Sequence, residues 1–270
     1  MKIGISNLAW DLGQDEAVAE VLKEFNVYSI DIAPGKYFAD IIKLNDDEII
    51  RVRRWWADRG IPVTGMQSLL FGTKGLNIFG GRESQLQLLN YLKRVCHISA
   101  LLGATKLVFG SPKNRDRGSM SEKEALEVAA TFFKALGDIA SEYGVLFCLE
   151  PNPPCYGANF MLTSEEAAAV VKAVNHKAVR LQFDTGASTI SGEDPFTVLE
   201  KNADLIGHIH ISEPNLVELG KGGTDHARMG SAIKSFFPHG LATIEMIGAS
   251  ADTNLQAIRN SLLLAQMYYC

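Results

Sequence analysis

Only four cysteines occur in the 270 residues, Cys96, Cys148, Cys155 and Cys270, and none stands at the spacing of a paired metal ligand. The scatter argues against a disulfide scaffold or zinc knuckle and for reduced thiols, with Cys148 as core filling. A strong excess of one charge is also missing. The formal net charge of −5 is mild, so nothing draws phosphate backbones or anionic lipids from a distance, and neither nucleic acid nor membrane is an expected partner. The opening MKIGISNLAWDLG has no basic segment followed by a long apolar stretch and a cleavage site, which points to a cytoplasmic protein. No Pro- or Ser-rich linker or low-complexity tract divides the chain. No GxGxxG follows the first apolar run, which weakens the case for a nucleotide-binding open sheet.

What the chain has is alternation. Eight apolar runs read as strands at 2–7, 28–33, 62–67, 106–111, 145–150, 179–184, 205–212 and 242–247. Between them lie stretches with apolar residues at three- and four-residue spacing, the clearest at 121–142, and capping signals at Ser121-x-x-Glu124 and Thr163-x-x-Glu166. Eight strand–helix units favour parallel pairing with right-handed crossovers and allow the sheet to close. With 47% hydrophobic residues and this length, the expected fold is α/β, a single (β/α)8 TIM barrel over residues 1–270.

Polar residues end four successive runs: Glu150 in GVLFCLEPN, Asp184 in VRLQFDTG, His210 in IGHIHISEPN and Glu245 in LATIEMIG. In a (β/α)8 barrel the carboxyl ends of the strands share one face, where catalytic groups gather. Any one of them alone is as well explained by a hydrogen-bonded strand end. Three carboxylates and one imidazole converging on one face make a site for a divalent cation, and hard oxygens with a single nitrogen suit Mn²⁺ first, with Mg²⁺ or Co²⁺ as alternatives. Around them the loop SLLFGTKGLNIFGGRE (69–82 and its flanks) is glycine-rich and apolar enough to act as a lid, with Phe71 and Phe79 shielding substrate or packing on the rim. GSPKNRDRG offers Lys113, Arg115 and Arg117 to an anionic group, although a solvated charge run explains at least two of them.

LEPNP around Glu150, FDTG around Asp184, HIHISEPN around His210 and TIEM around Glu245 resemble the motifs of the xylose isomerase-like TIM-barrel superfamily. The resemblance runs over nearly the whole chain, GISNLAW and FGSPKNR included, and is nearest to the ketose 3-epimerase branch. It implies that Glu150, Asp184, His210 and Glu245 bind one divalent metal and that Glu150 and Glu245 also move protons. The sequence departs from that branch where its members carry a histidine three residues after the aspartate, because here the position is Ala187. His226 in GKGGTDHARMG is a candidate replacement or else a loop histidine in solvent, and Arg228 beside it is a candidate phosphate or carboxylate contact. Asn152, Asn215 and Gln67 are candidate partners for substrate hydroxyls. His208 points inward one layer below His210, as a core histidine or a support to the site. Trp10 either stacks on a sugar face or fills the core.

The expected function is metal-dependent isomerisation or epimerisation of a sugar or sugar phosphate, by proton transfer through an enediolate with the two glutamates as acid and base. A lyase or dehydratase of a polyhydroxylated acid is the alternative, since the same base and metal can expel a β-hydroxyl. An abasic-site endonuclease fits poorly: that branch uses several zinc ions in a histidine-rich site, and this chain has six histidines and no dominant basic surface. A noncatalytic sugar-binding barrel is the remaining reading. A homo-oligomer is possible, with Trp55-Trp56 or the tail LLLAQMYYC as an interface, though helix packing accounts for both.

Overall fold

In the computed structural model, which describes residues 1–270, eight parallel strands pair in chain order and the eighth closes on the first. They are β1 (Lys2–Ser6), β2 (Ile30–Ile32), β3 (Val63–Met66), β4 (Lys106–Phe109), β5 (Leu146–Leu149), β6 (Val179–Asp184), β7 (Ile206–Ser212) and β8 (Leu241–Glu245). The expected TIM barrel is therefore present. Around it run α1 (Asp15–Glu24), α2 (Pro34–Tyr37), α3 (Asp46–Ala57), α4 (Arg82–Leu102), α5 (Glu122–Tyr143), α6 (Ser164–Val174), α7 (Thr185–Ile190), α8 (Pro195–Asn202), α9 (His226–Phe236) and α10 (Ala251–Tyr269). The helix read at 121–142 is α5, and its start follows from the sequence. The Ser121 hydroxyl accepts from the Glu124 N–H, and the Glu124 carboxylate accepts from the Ser121 N–H at 2.9 Å. Thr163 caps α6 in the same manner through the Glu166 N–H.

Several strands are shorter than the apolar runs that predict them, and proline explains two of the trimmed ends. Glu150 lies one residue beyond β5 although its N–H still donates to the Phe109 carbonyl at 3.1 Å. Pro151 follows and has no N–H to continue the ladder. Pro112 likewise bars β4 from extending through the 106–111 run. Outside the barrel, Phe109 packs edge-on against Phe133 of α5, with ring centroids 5.2 Å apart. Trp10 and Trp56 meet in the same edge-to-face geometry at 6.0 Å, and such pairs add about 0.5–1.5 kcal/mol beyond their burial. Trp10 thus has the core role of its two readings, and its indole N–H donates to Asp15 at 2.6 Å.

The barrel interior is unusually polar. Asp31 on β2 and His208 on β7 are bonded at 2.7 Å, a contact that strands so far apart in the ring can make only across the lumen. Strand alternation then sends Ile209 and Ile211 outward to the helices and His208 and His210 inward. Gly65 is required for this arrangement, since a Cβ there would lie 2.7 Å from the Asp31 carboxylate. No helix is long and apolar enough to cross a membrane.

Candidate metal centre and active site

At the carboxyl ends of the strands lies a cavity of about 510 Å³, within the usual size of a small-molecule site. Glu150, Asp184 and Glu245 line it, with His210 directly beneath. The ligand atoms of these four residues all lie within 4.8 Å of one another. His210 Nδ1 is 3.2 Å from Glu245 Oε2, 3.5 Å from Glu150 Oε1 and 4.0 Å from Asp184 Oδ2. Backbone register sets this convergence: Asp184 pairs with His210, and Glu245 pairs with Ser212, two residues along the same face of β7. Glu150 owes its position to Gly110, where a side chain would collide with the carboxylate.

Hydrogen bonds aim two of the groups. Asp184 accepts from the Ala187 N–H at 2.6 Å and from the Ser212 hydroxyl at 2.8 Å. Glu150 accepts from the Asn152 amide at 3.3 Å. Arg115 is wholly buried and outside the cavity lining, where its guanidinium donates to the Glu150 carbonyl at 2.6 Å and to Asn152 Oδ1 at 2.7 Å. It therefore braces the backbone at Glu150 rather than facing the cavity.

The electrostatics require a counter-charge. Burial, then the neighbouring Glu150 and Glu245 charges, push the Asp184 carboxyl up to about 7. Burial alone would strip the proton from His210, but Glu245, Asp31 and Glu150 outweigh it and raise its pKa well above the ordinary histidine value. Without a metal, protons must supply the balancing charge. One buried ligand atom, Glu150 Oε1, has no hydrogen-bond partner in the protein, which is costly unless something else satisfies it. One imidazole nitrogen facing three carboxylate oxygens is a donor set that fits a divalent ion.

The other residues singled out in the sequence divide into two groups. Gln67, Asn152 and Asn215 line the cavity, and so does Phe71. Gln67 Oε1 is buried and free of a partner. His208, His226 and Arg228 do not line it. Their bonds go elsewhere, and for His208 this is the core place that is one of its two readings. His208 is spent on Asp31, which lies far below the usual carboxylate range: burial would raise it, but His208 and His210 together prevail. His226 is buried between Glu213, 2.9 Å from Nε2, and the Tyr269 hydroxyl, 2.7 Å from Nδ1. Arg228 pairs with Asp194 at the start of α8. Phe79 packs on Phe160, with centroids 4.9 Å apart, and so lies on the rim. Arg117 is turned to the Asn159 carbonyl and Lys113 is exposed away from the lining.

Asp31, Ser212, Glu213 and Tyr156 went unread in the sequence. Asp31 has a local signal, a lone carboxylate inside the apolar run YSIDIA. Ser212 and Glu213 sit in HISEPN, beside the histidine that drew attention, but their partners are set by loop geometry. Tyr156 lines the cavity and accepts from the Asn215 N–H at 2.7 Å.

Comparison with known proteins agrees with the architecture. The family model for the xylose isomerase-like TIM barrel matches residues 19–265. A D-psicose 3-epimerase from Enterocloster bolteae is 29% identical over 108 residues, 39% of this chain and 36% of that protein. An inosose dehydratase from Lacticaseibacillus casei is 28% identical over 109 residues, 40% of this chain and 35% of that protein. Those alignments span little more than a third of the relatives' length. Among solved structures, D-psicose 3-epimerase with D-tagatose from Clostridium cellulolyticum H10 superimposes with a TM-score of 0.83 at 17% identity, covering 100% of this chain and 99% of that one. At that identity the likeness speaks for the fold.

Proposed function

The chain belongs to the xylose isomerase-like TIM-barrel family, and from that premise we propose that it is a divalent-metal-dependent epimerase or isomerase of a sugar. The observation that carries the reading is the cluster of Glu150, Asp184, His210 and Glu245 at the floor of the cavity, with ligand atoms within 4.8 Å of one another. A divalent ion held by these four, Mn²⁺ first by donor type, supplies Lewis-acid stabilisation of negative charge developing on substrate oxygens.

The protein's own residues account for the rest. Glu150 and Glu245 rise from β5 and β8, well separated around the ring, so their carboxylates approach a substrate carbon from two directions. One takes the proton from the carbon beside a carbonyl. The other returns a proton to the opposite face, which inverts that centre, while return to the neighbouring carbon moves the carbonyl. Gln67 and Asn152 offer amide groups to hydroxyls, and Arg115 keeps the Glu150 backbone from shifting as charge moves. Incubation with D-fructose in deuterated water tests the reading. Deuterium is expected at the carbon next to the carbonyl, and sugar recovered without label from a metal-loaded protein would count against it.

Similarity to the inosose dehydratase supports a second reading. There the carboxylate removes the same proton, the carbon–oxygen bond of the β-hydroxyl breaks, the electron pair forms a carbon–carbon double bond and water departs. A mass loss equal to one water, with absorbance from a conjugated carbonyl, would distinguish dehydration from epimerisation.

A further inference from the structure

Nothing cationic reaches the cavity. Its lining contains Glu150, Asp184, Glu213 and Glu245 but no lysine or arginine. Arg115, Arg117 and Arg228 are committed to the Glu150 carbonyl, the Asn159 carbonyl and Asp194, and Lys113, which follows Pro112 of the lining, is exposed outside it. A phosphate or carboxylate on the substrate would enter beside like charges without a protein counter-ion, at a cost that grows as water leaves the site.

The walls above the floor are apolar. On one side stand Leu69, Leu70 and Phe71, from the loop after β3. On the other stand Leu216, after β7, and Ile247, after β8, joined by a bond from the Ile247 N–H to the Leu216 carbonyl at 2.8 Å. β3 and β7 lie opposite each other in the closed ring, so the two walls face across the mouth. Phe71 is 87% exposed and Ile247 57%. Apolar surface of this kind beside a polar floor is where a ligand gains affinity by burial. The 510 Å³ volume is in the range of sites that enclose drug-sized molecules, about 300–1,000 Å³, and leaves room above a single sugar ring.

We propose that the substrate is an uncharged keto-glycoside, a sugar ring that carries both the ketone the reaction needs and an apolar aglycone, with the ring on the polar floor and the aglycone between Phe71 and the Leu216–Ile247 wall. This rests on the sugar-active reading above and narrows it, setting sugar phosphates and sugar acids aside. Phe71, Leu216 and Ile247 are then specificity-determining residues, and Gln67 and Asn152 hold the ring.

The test is calorimetric titration of the manganese-loaded protein with unreactive binding analogues that lack the ketone, matched phenyl and methyl β-glycosides of glucose, galactose and mannose, and with the corresponding 6-phosphates of the free sugars. For at least one ring, the phenyl glycoside should bind roughly tenfold or more tightly than the methyl glycoside, about 1.4 kcal/mol, while no phosphate binds. The doubly substituted Phe71→Ala, Ile247→Ala protein should lose that preference, and Leu216→Arg should gain measurable phosphate binding. Equal affinity of phenyl and methyl glycosides, or a phosphate binding as well as either, overturns the inference. So does a double variant that changes oligomeric state while keeping the preference, because the exposed pair would then be an interface between copies. Binding of none of the probes overturns it as well. Deuterium exchange into a ketose is read separately, so a failed glycoside preference with intact exchange refutes this inference alone.

Discussion

Two clusters in this barrel each set a buried histidine against carboxylate, one in Glu213–His226–Tyr269 and three around His210, yet they differ in how completely they are satisfied. Glu213, His226 and Tyr269 form a closed network. Glu213 accepts from the Gly220 N–H at 2.6 Å and the Thr224 N–H at 2.8 Å, and both nitrogens of His226 have partners. At the cavity floor, three carboxylates surround His210 Nδ1 at 3.2–4.0 Å, and Glu150 Oε1 remains without a hydrogen-bond partner. A satisfied buried network rigidifies a fold, whereas an unsatisfied one stores a demand that a ligand can meet. The first cluster pins the loop between β7 and α9 against α10. The second is the cluster proposed to hold the metal.

The largest effect expected from breaking this contrast lies at the open cluster. Glu150→Gln and Glu245→Gln keep size and an oxygen donor but remove the proton acceptor, so each metal-loaded variant should lose at least ~10²-fold in kcat. Near wild-type turnover by either would refute the two-glutamate division of labour. Glu213→Ala should do the opposite, costing about 1–3 kcal/mol of stability through the orphaned N–H groups and imidazole while leaving metal content intact. Urea denaturation alongside metal analysis measures both, and a variant that loses metal without losing stability would reverse the assignment.

A smaller effect is set by pH. Burial lowers the His226 pKa despite Glu213, so the imidazole is held neutral with Nε2–H donating to Glu213 and the Tyr269 hydroxyl donating to Nδ1. A folded-state pKa below the unfolded one means that protonation favours unfolding. The stability is complete above the unfolded value of about 6.5 and falls as pH drops below it. Glu213 acts in the same direction at lower pH, since the Thr224, His226 and Gly220 donors outweigh burial and depress it. Relative to wild type, His226→Gln should show a shallower loss of stability between pH 6.5 and 5, and parallel curves would exclude His226 as a contributor.

The same contrast explains what was legible in the sequence. The barrel was, because each strand and each helix start has a local signature, as the Ser121–Glu124 pair shows. Glu150, Asp184 and Glu245 could be found because each ends an apolar run, and in a parallel barrel the run ends share one face. His226 and Arg228 could not be placed in the same way. Their loop is steered by Glu213, which captures the Gly220 and Thr224 N–H groups, and α9 then starts at His226 with its ring turned inward to Tyr269. The pairing of Asp31 with His208 spans 177 residues, so neither partner announces the other. Strand ends were over-extended where the apolar run outlasts the ladder, as at Pro112 and Pro151.

The central claim is that Glu150, Asp184, His210 and Glu245 hold one divalent ion and that the Glu213 cluster does not. Its most direct test is metal content by elemental analysis after equilibration with Mn²⁺ and desalting, for the wild type, Asp184→Ala, Glu245→Ala and Glu213→Ala, with folding verified by circular dichroism. The account predicts one ion per chain in the wild type and in Glu213→Ala, and a clear loss in Asp184→Ala and Glu245→Ala. Undiminished metal in the last two, or none in the wild type, would contradict it.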